Sequence, residues 1–177
     1  GKGYGAVEHN EAAEVAGDVL GEVLNAAWRP KVNYGWFFRA ESFFTVARYL
    51  DDAARGSGAA PPDYLSHSHG EGFLRFFAER CSRQGIYFFD EPESALSPAR
   101  QIEFLKILAR LQASRHAQVV MATHAPILMA LPGARLLRMT PRGIAPVTLE
   151  ETDHFRLMRE FCAEPTGFIA ERLAEEQ

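Results

Sequence analysis

The amino-acid sequence predicts an α/β fold in which helices cover a mostly parallel β-sheet. Two observations support this prediction. Segments with the spacing of an amphipathic helix alternate along the chain with short apolar segments. The short segments, for example IYFF at residues 86–89 and QVVMA at residues 118–122, are apolar at successive positions, which is typical of strands buried on both faces. The alternation therefore favours strand–helix–strand units.

Predicted helices and strands alternate along the chain. In the first half we expect a helix at 9–28 with Asn10 as its cap, a strand at 34–41, a helix at 42–55, a flexible break at 56–63 and a helix at 73–82. In the second half we expect a strand at 86–89, a helix at 98–115 with Pro98 in its first turn, a strand at 117–123, two strands within 134–150 around a Pro-Arg-Gly turn, and two helices within 151–177, the second after Pro165. No repeat interrupts this order, so we expect a single domain over residues 1–177.

Composition limits the classes of protein to which the chain can belong. Its 177 residues are 47% hydrophobic, which suffices for one domain with a core. The formal net charge of -4 gives no overall basic field for nucleic acid or an anionic membrane. Cys81 and Cys162 each lie in an apolar, helix-like stretch, which predicts buried thiols in a reducing cytoplasm. No apolar run is long enough to span a membrane, so we expect a cytoplasmic protein.

The strand at 86–89 runs directly into two adjacent carboxylates, Asp90 and Glu91. Two like charges at the end of a buried strand are costly unless a cation or a solvated ligand needs them. Asp90 is suited to hold Mg²⁺ bound to nucleotide phosphates, and Glu91 is suited to orient and deprotonate a water that attacks the γ-phosphate. The alternative is that both acids only cap the turn that follows.

Two further segments carry candidate site residues. In SHSHGEGF, Ser68 and Gly70 precede a helix, whose free N–H groups and dipole favour an anion such as a phosphate; the alternative is an ordinary serine cap. His124 ends the strand QVVMAT, where it can donate to a γ-phosphate oxygen, or bond to a nearby carbonyl. Three other histidines, His9, His116 and His154, are interpreted as loop or solvated helix residues.

Together these motifs resemble the C-terminal part of an ABC-type ATPase domain, of the soluble bacterial kind often described as an AAA-family ATPase. IYFFDE is similar to the Walker B strand with its catalytic glutamate, PESALSP to the D-loop, SHGEG to the signature loop and VVMATHAP to the strand with the switch histidine. The four occur in the family's order, and one helix–strand unit separates each from the next.

The resemblance implies a P-loop NTPase-like fold and a role for each matched residue. It implies ATP and Mg²⁺ as cofactors, Glu91 and His124 as catalytic residues, and Asp90 as the metal ligand. Ser68, Gly70 and Glu71 would then contact ATP held by a second protomer, in an ATP-dependent homodimer. Ser97 replaces the aspartate of the transporter D-loop, and Glu41 lies where the family has its Q-loop.

The family's N-terminal strand and phosphate loop are not recognisable in this sequence. A phosphate loop needs G-x-x-x-x-G-K-[ST], and the GKG at its start has Gly3 after Lys2. We therefore expect a fragment that is inactive alone. The short interval between Glu41 and Ser68 leaves no room for a repair-type coiled coil, so a small stand-alone ATPase is favoured. The alternatives are a non-catalytic signature or dimerisation module and a DNA-repair-type accessory ATPase.

Overall fold

The computed structural model describes residues 22, 32–58, 60–61, 63–64, 66 and 69–174. Their helices are α1 (Phe43–Gly56), α2 (His69–Arg80), α3 (Pro98–Ser114), α4 (Pro126–Met129), α5 (Asp153–Ala163) and α6 (Pro165–Ala174). Their strands are β1 (Gly35–Arg39), β2 (Gly85–Asp90), β3 (Ala117–Ala122), β4 (Leu137–Thr140) and β5 (Gly143–Pro146). Single 3-10 turns occupy Ala40–Ser42, Pro92–Ala95 and Leu149–Glu151. The predicted helix at 9–28 lies outside the described residues, apart from Glu22.

The central sheet has the order β1-β2-β3, and both of its strand pairs are parallel. This confirms the predicted mixture of helices with a parallel sheet, in which α1 and α2 connect β1 to β2 and α3 connects β2 to β3. Because parallel neighbours cannot be joined by a tight turn, each connection contains at least one helix. A separate hairpin, β4-β5, is antiparallel and turns at Pro141 and Arg142, as predicted.

The core is a cluster of aromatic rings between the sheet and the three long helices. It joins Phe38 and Phe89 of the sheet to Phe76 and Phe77 of α2, while Phe104 reaches it from α3. The rings of Phe77 and Phe89 meet edge to face at 4.9 Å, and those of Phe38 and Phe89 stack at 5.2 Å. Edge-to-face and offset pairs of this kind add to the stability that the buried area provides.

The opposite face of the sheet is more exposed than the sequence predicts. Phe37, Phe88 and Val120 form one row across the three strands and are 62%, 43% and 46% exposed, respectively. The strands were expected to be buried on both faces because both faces are apolar. The described helices instead cover the face that carries Phe38 and Phe89.

Helix boundaries and cysteines give two further comparisons with the prediction. Helix α2 begins at His69, four residues before the predicted start, and Gly72 in its first turn lies against the carbonyl oxygen of Tyr64, where a Cβ would collide.

Cys81 is buried as predicted, and burial raises the pKa of its thiol to about 12. The prediction that Cys162 is buried is wrong, because the face of α5 on which it lies is exposed. No described helix combines the length and apolarity needed to cross a bilayer.

Candidate active site

The carboxyl ends of the three parallel strands meet at one edge of the sheet. Arg39, Asp90 and Ala122 pair in register across β1, β2 and β3. The residues that follow these strands are therefore neighbours in space although they are far apart in sequence. This edge is where ligands bind in open α/β sheets.

Glu91 follows β2 in a backbone conformation that is uncommon for a residue with a side chain. Its φ of 45° and ψ of 54° lie in the left-handed region, which costs about 1–3 kcal/mol for a residue other than glycine. The turn is held from both sides, since the Glu91 N–H donates to the Ala122 carbonyl at 3.0 Å and the Ser94 N–H donates to the Glu91 carbonyl at 3.1 Å. Strain of this kind is concentrated at functional sites.

The turn brings the Glu91 carboxylate to His124, the residue predicted to act beside it. Nε2 of His124 lies 3.3 Å from Oε1 of Glu91. Their side chains are 66% and 52% exposed, so the pair opens to solvent at the sheet edge. A carboxylate and an imidazole in ion-pair contact, both reachable by water, have the chemistry of a general-base site.

Glu93 holds the loop that carries His124, a role that the sequence did not predict. Its two carboxylate oxygens accept from the Thr123 hydroxyl at 2.7 Å and from the His124 N–H at 2.6 Å. The same Thr123 oxygen accepts from the Ala125 N–H at 3.1 Å. The turn after β2 is thus tied to the loop after β3, and the backbone of His124 is fixed. In sequence, Glu93 is indistinguishable from a solvated loop acid.

Asp90, the predicted metal ligand, forms an ion pair with Arg39. Arg39 Nε lies 2.9 Å from Oδ2 of Asp90, and the two side chains are 52% and 32% exposed. Oδ1 has no partner among the described residues. Mg²⁺ takes oxygen ligands and keeps several waters, so a single carboxylate oxygen fits one position of its shell. Among the residues that the structure describes, no three His, Cys, Asp or Glu side chains form a cluster that could hold a metal ion on its own.

His154 contacts His124 from the C-terminal part of the chain. Its Nε2 lies 3.1 Å from Nδ1 of His124, and the two rings are 4.9 Å apart at 36°. The sequence predicts a solvated helix residue at His154, and nothing in the pattern of α5 distinguishes it from one. Glu91, His124 and His154 therefore lie in a row, in which the two histidines are hydrogen-bonded and His124 and Glu91 form an ion-pair contact.

The signature-like segment is described only in part. Ser68 lies outside the described residues, as does the side chain of Glu41. Gly70 is in the first turn of α2, where a Cβ would lie 3.2 Å from Cγ of Arg100 on α3. Glu71 forms an ion pair with Arg100, which also binds Glu103 at 2.7 Å. Gly70 and Glu71 thus join α2 to α3, and nothing in these contacts tests their predicted role towards a phosphate.

The comparisons with known proteins give one match. Residues 33–130, more than half of the chain, match the family of AAA domains whose description also names the AbiEii toxin and type IV TA systems. No curated protein and no solved structure matches the chain. The matched residues contain β1 to β3, the strained turn at Glu91 and the loop at His124, whereas His154 lies beyond them. The chain belongs to this AAA-domain family, and residues 33–130 form a P-loop AAA-family ATPase-like domain.

Proposed function

We propose that this chain is part of a small ABC-type ATPase of the cytoplasm, which binds ATP and hydrolyses it with Mg²⁺ at a site shared by two protomers. The contact of 3.3 Å between Glu91 and His124, at the sheet edge of an AAA-family domain, is the observation that carries the proposal. It joins an acid and a histidine from two different motifs at the place where α/β folds bind ligands.

Glu91 is the general base. Its carboxylate accepts the proton of the water that attacks the γ-phosphate, and its strained backbone fixes where that carboxylate lies. Its partner is His124 rather than an arginine, so no permanent positive charge opposes the uptake of a proton by the carboxylate. The half-exposed position lets water reach it.

Asp90 and Arg39 complete the phosphate side of the site. Mg²⁺, when bound with ATP, neutralises charge on the phosphate oxygens, and Asp90 is the residue that would hold it. The guanidinium of Arg39 is close to that carboxylate and has the charge and geometry to bind a phosphate oxygen in turn. His124 donates a hydrogen bond to the γ-phosphate from a loop that Glu93 immobilises.

Ser68, Gly70 and Glu71 act on ATP bound to the other protomer. In the ABC resemblance the signature loop lies away from the phosphate loop of its own chain, so that its N–H groups face only solvent in a monomer. Bringing two protomers head to tail excludes water from these groups and makes dimerisation depend on ATP. The phosphate loop itself belongs, by the same resemblance, to sequence ahead of β1.

The proposal is tested with Glu91→Gln in protein that carries the phosphate loop. The amide holds the water but cannot accept its proton, so turnover falls by about 10²–10⁴-fold while the Kd for ATP stays within a few fold. Hydrolysis is measured by phosphate release, ATP affinity by calorimetric titration and dimerisation by sedimentation. Glu91→Gln accumulates ATP-bound dimers, whereas Ser68→Arg binds ATP and remains monomeric. Glu171→Gln, on the exposed surface of α6, is the matched control and behaves as wild type.

The same assays separate the alternatives. A Glu91→Gln rate within a few fold of wild type removes Glu91 as the base. Absence of hydrolysis by the wild type, together with ATP-dependent binding to a partner, identifies a non-catalytic module. Asp90→Asn weakens the dependence on Mg²⁺ if Asp90 holds the ion, and leaves it unchanged if the Arg39 pair is purely structural.

A further inference from the structure

His154 is placed against His124 by a well-defined helix start. It is the second residue of α5, whose cap, Thr152, is buried and accepts a hydrogen bond from the Phe155 N–H at 3.3 Å. The Thr152 hydroxyl also donates to the Leu149 carbonyl at 2.7 Å. These bonds fix the first turn of α5, and with it the backbone of His154. The point from which its ring extends towards His124 is therefore set by the fold of the C-terminal segment.

The two contacts of the His124 ring favour one placement of its proton. Nε2 of His124 lies 3.3 Å from the Glu91 carboxylate, and an ionised carboxylate can only accept, so this contact favours the proton of a neutral ring at Nε2. A neutral imidazole has one N–H, so Nδ1 of His124 is then an acceptor. Among the described residues, the nitrogen that contacts Nδ1 is Nε2 of His154, at 3.1 Å, and with Nδ1 as the acceptor Nε2 of His154 is the donor. The row consequently runs from the His154 N–H through the His124 ring to the Glu91 carboxylate.

We propose that His154 is a positioning residue for the ATPase reaction: it holds His124 in the orientation and tautomer that present Nε2–H to Glu91 and to the γ-phosphate. The torsion that turns an imidazole ring is soft, and an exposed ring without a partner rotates and exchanges tautomers readily. A hydrogen bond from a donor to Nδ1 prevents both the rotation of the ring and the exchange of tautomers. The catalytic part of this inference rests on the proposed function, whereas the state of the His124 ring is a property of the chain itself.

His154 lies outside the stretch that matches the AAA-domain family. The segment after residue 130 thus contributes to a site that otherwise belongs to the matched domain. Because α5 carries His154, the orientation of the His124 ring depends on where α5 packs.

The first test observes the ring directly, by ¹⁵N NMR of the imidazole nitrogens. In the wild type, at a pH where His124 is neutral, the two His124 nitrogens give well-separated resonances of one tautomer. In His154→Ala the separation shrinks as tautomers interconvert, and in His154→Gln, whose amide N–H lies near the position of Nε2, it is largely restored. His116→Ala, in the exposed loop before β3, is the control and leaves the His124 resonances unchanged. His124 resonances in His154→Ala that equal those of the wild type overturn the proposal.

The second test is kinetic and uses protein with the phosphate loop. His154→Ala lowers kcat by about 3- to 10-fold, the effect of losing one partly exposed hydrogen bond, with KM for ATP within twofold. In a Glu91→Gln background the same change has no further effect, because the two residues act through one row. An unchanged kcat in His154→Ala overturns the catalytic role. If instead Glu91→Gln fails to slow turnover, the proposed function fails, and the NMR test still decides the positioning of His124.

Discussion

The matched domain and the segment after it are stabilised in different ways. Within the described residues, every buried hydrophobic side chain comes from between Phe38 and Leu128. From residue 131 to residue 174 only Thr152 is buried, and apolar side chains such as Met139 and Leu173 are 81% and 63% exposed. The first region folds around its own core. Within the described part of the chain, the second has exposed apolar surface and no buried apolar core of its own.

Local polar bonds organise the second region. Thr148 and Glu151 form a capping box in which the Thr148 N–H donates to the Glu151 carboxylate at 2.8 Å. Arg156 donates to the Glu150 carbonyl at 3.1 Å, and Arg138 of the hairpin donates to the carbonyl of Glu151. Because such bonds are exposed, each contributes little alone. The contrast indicates that the two regions respond differently to mutation.

The largest difference is expected from matched phenylalanine truncations. Phe77 is fully buried and meets the rings of Phe73 and Phe38 at 4.2 and 4.6 Å, so Phe77→Ala lowers the free energy of unfolding by about 3–5 kcal/mol. Phe161 of α5 is 37% exposed and has one ring neighbour, Phe168, among the described residues, so Phe161→Ala costs less than about 1 kcal/mol. Urea unfolding followed by circular dichroism measures both. Equal losses would show that α5 and α6 share a core with the matched domain.

The second difference concerns the two thiols. Burial raises the pKa of Cys81 from 9.0 to about 12, which lowers its thiolate fraction about 10³-fold at neutral pH. Cys162 is exposed. An aromatic disulfide reagent at pH 8 therefore labels one thiol per chain quickly, and both only after denaturation. Cys162→Ser abolishes the fast phase and serves as the control; a persisting fast phase in that variant would mean that the core around Cys81 opens.

The sequence predicted the matched domain well because its elements bury their own apolar faces. Helical spacing located α1 and α3, and the two residues that the resemblance assigned to catalysis, Glu91 and His124, lie in contact at the sheet edge. Prediction from the sequence failed where a contact depends on a distant part of the chain. Cys162 was expected to be buried because apolar spacing on a helix does not reveal whether its face is covered. His154 could not be identified, since its partner lies 30 residues away and joins it only through tertiary structure.

The smallest difference, and the one that links stability to the site, is expected from two helix caps. Thr152→Ala removes the hydrogen bond to the Phe155 N–H and lowers the free energy of unfolding by about 1 kcal/mol. The Ser97 hydroxyl accepts from the Arg100 N–H at 3.4 Å, which is a long hydrogen bond at an exposed helix end. Ser97→Ala therefore lowers the free energy of unfolding by about half as much. The Thr152 variant should increase amide hydrogen exchange in α5 without changing it in α2, since the core that holds α2 is untouched. It should also weaken the contact of His154 with His124, because α5 loses the bond that fixes its first turn. Hydrogen exchange read by NMR, together with the His124 ring resonances, measures both effects. If the Ser97 and Thr152 variants loosen α5 to the same extent, the C-terminal segment is not held by its own cap, and the comparison between the two regions fails.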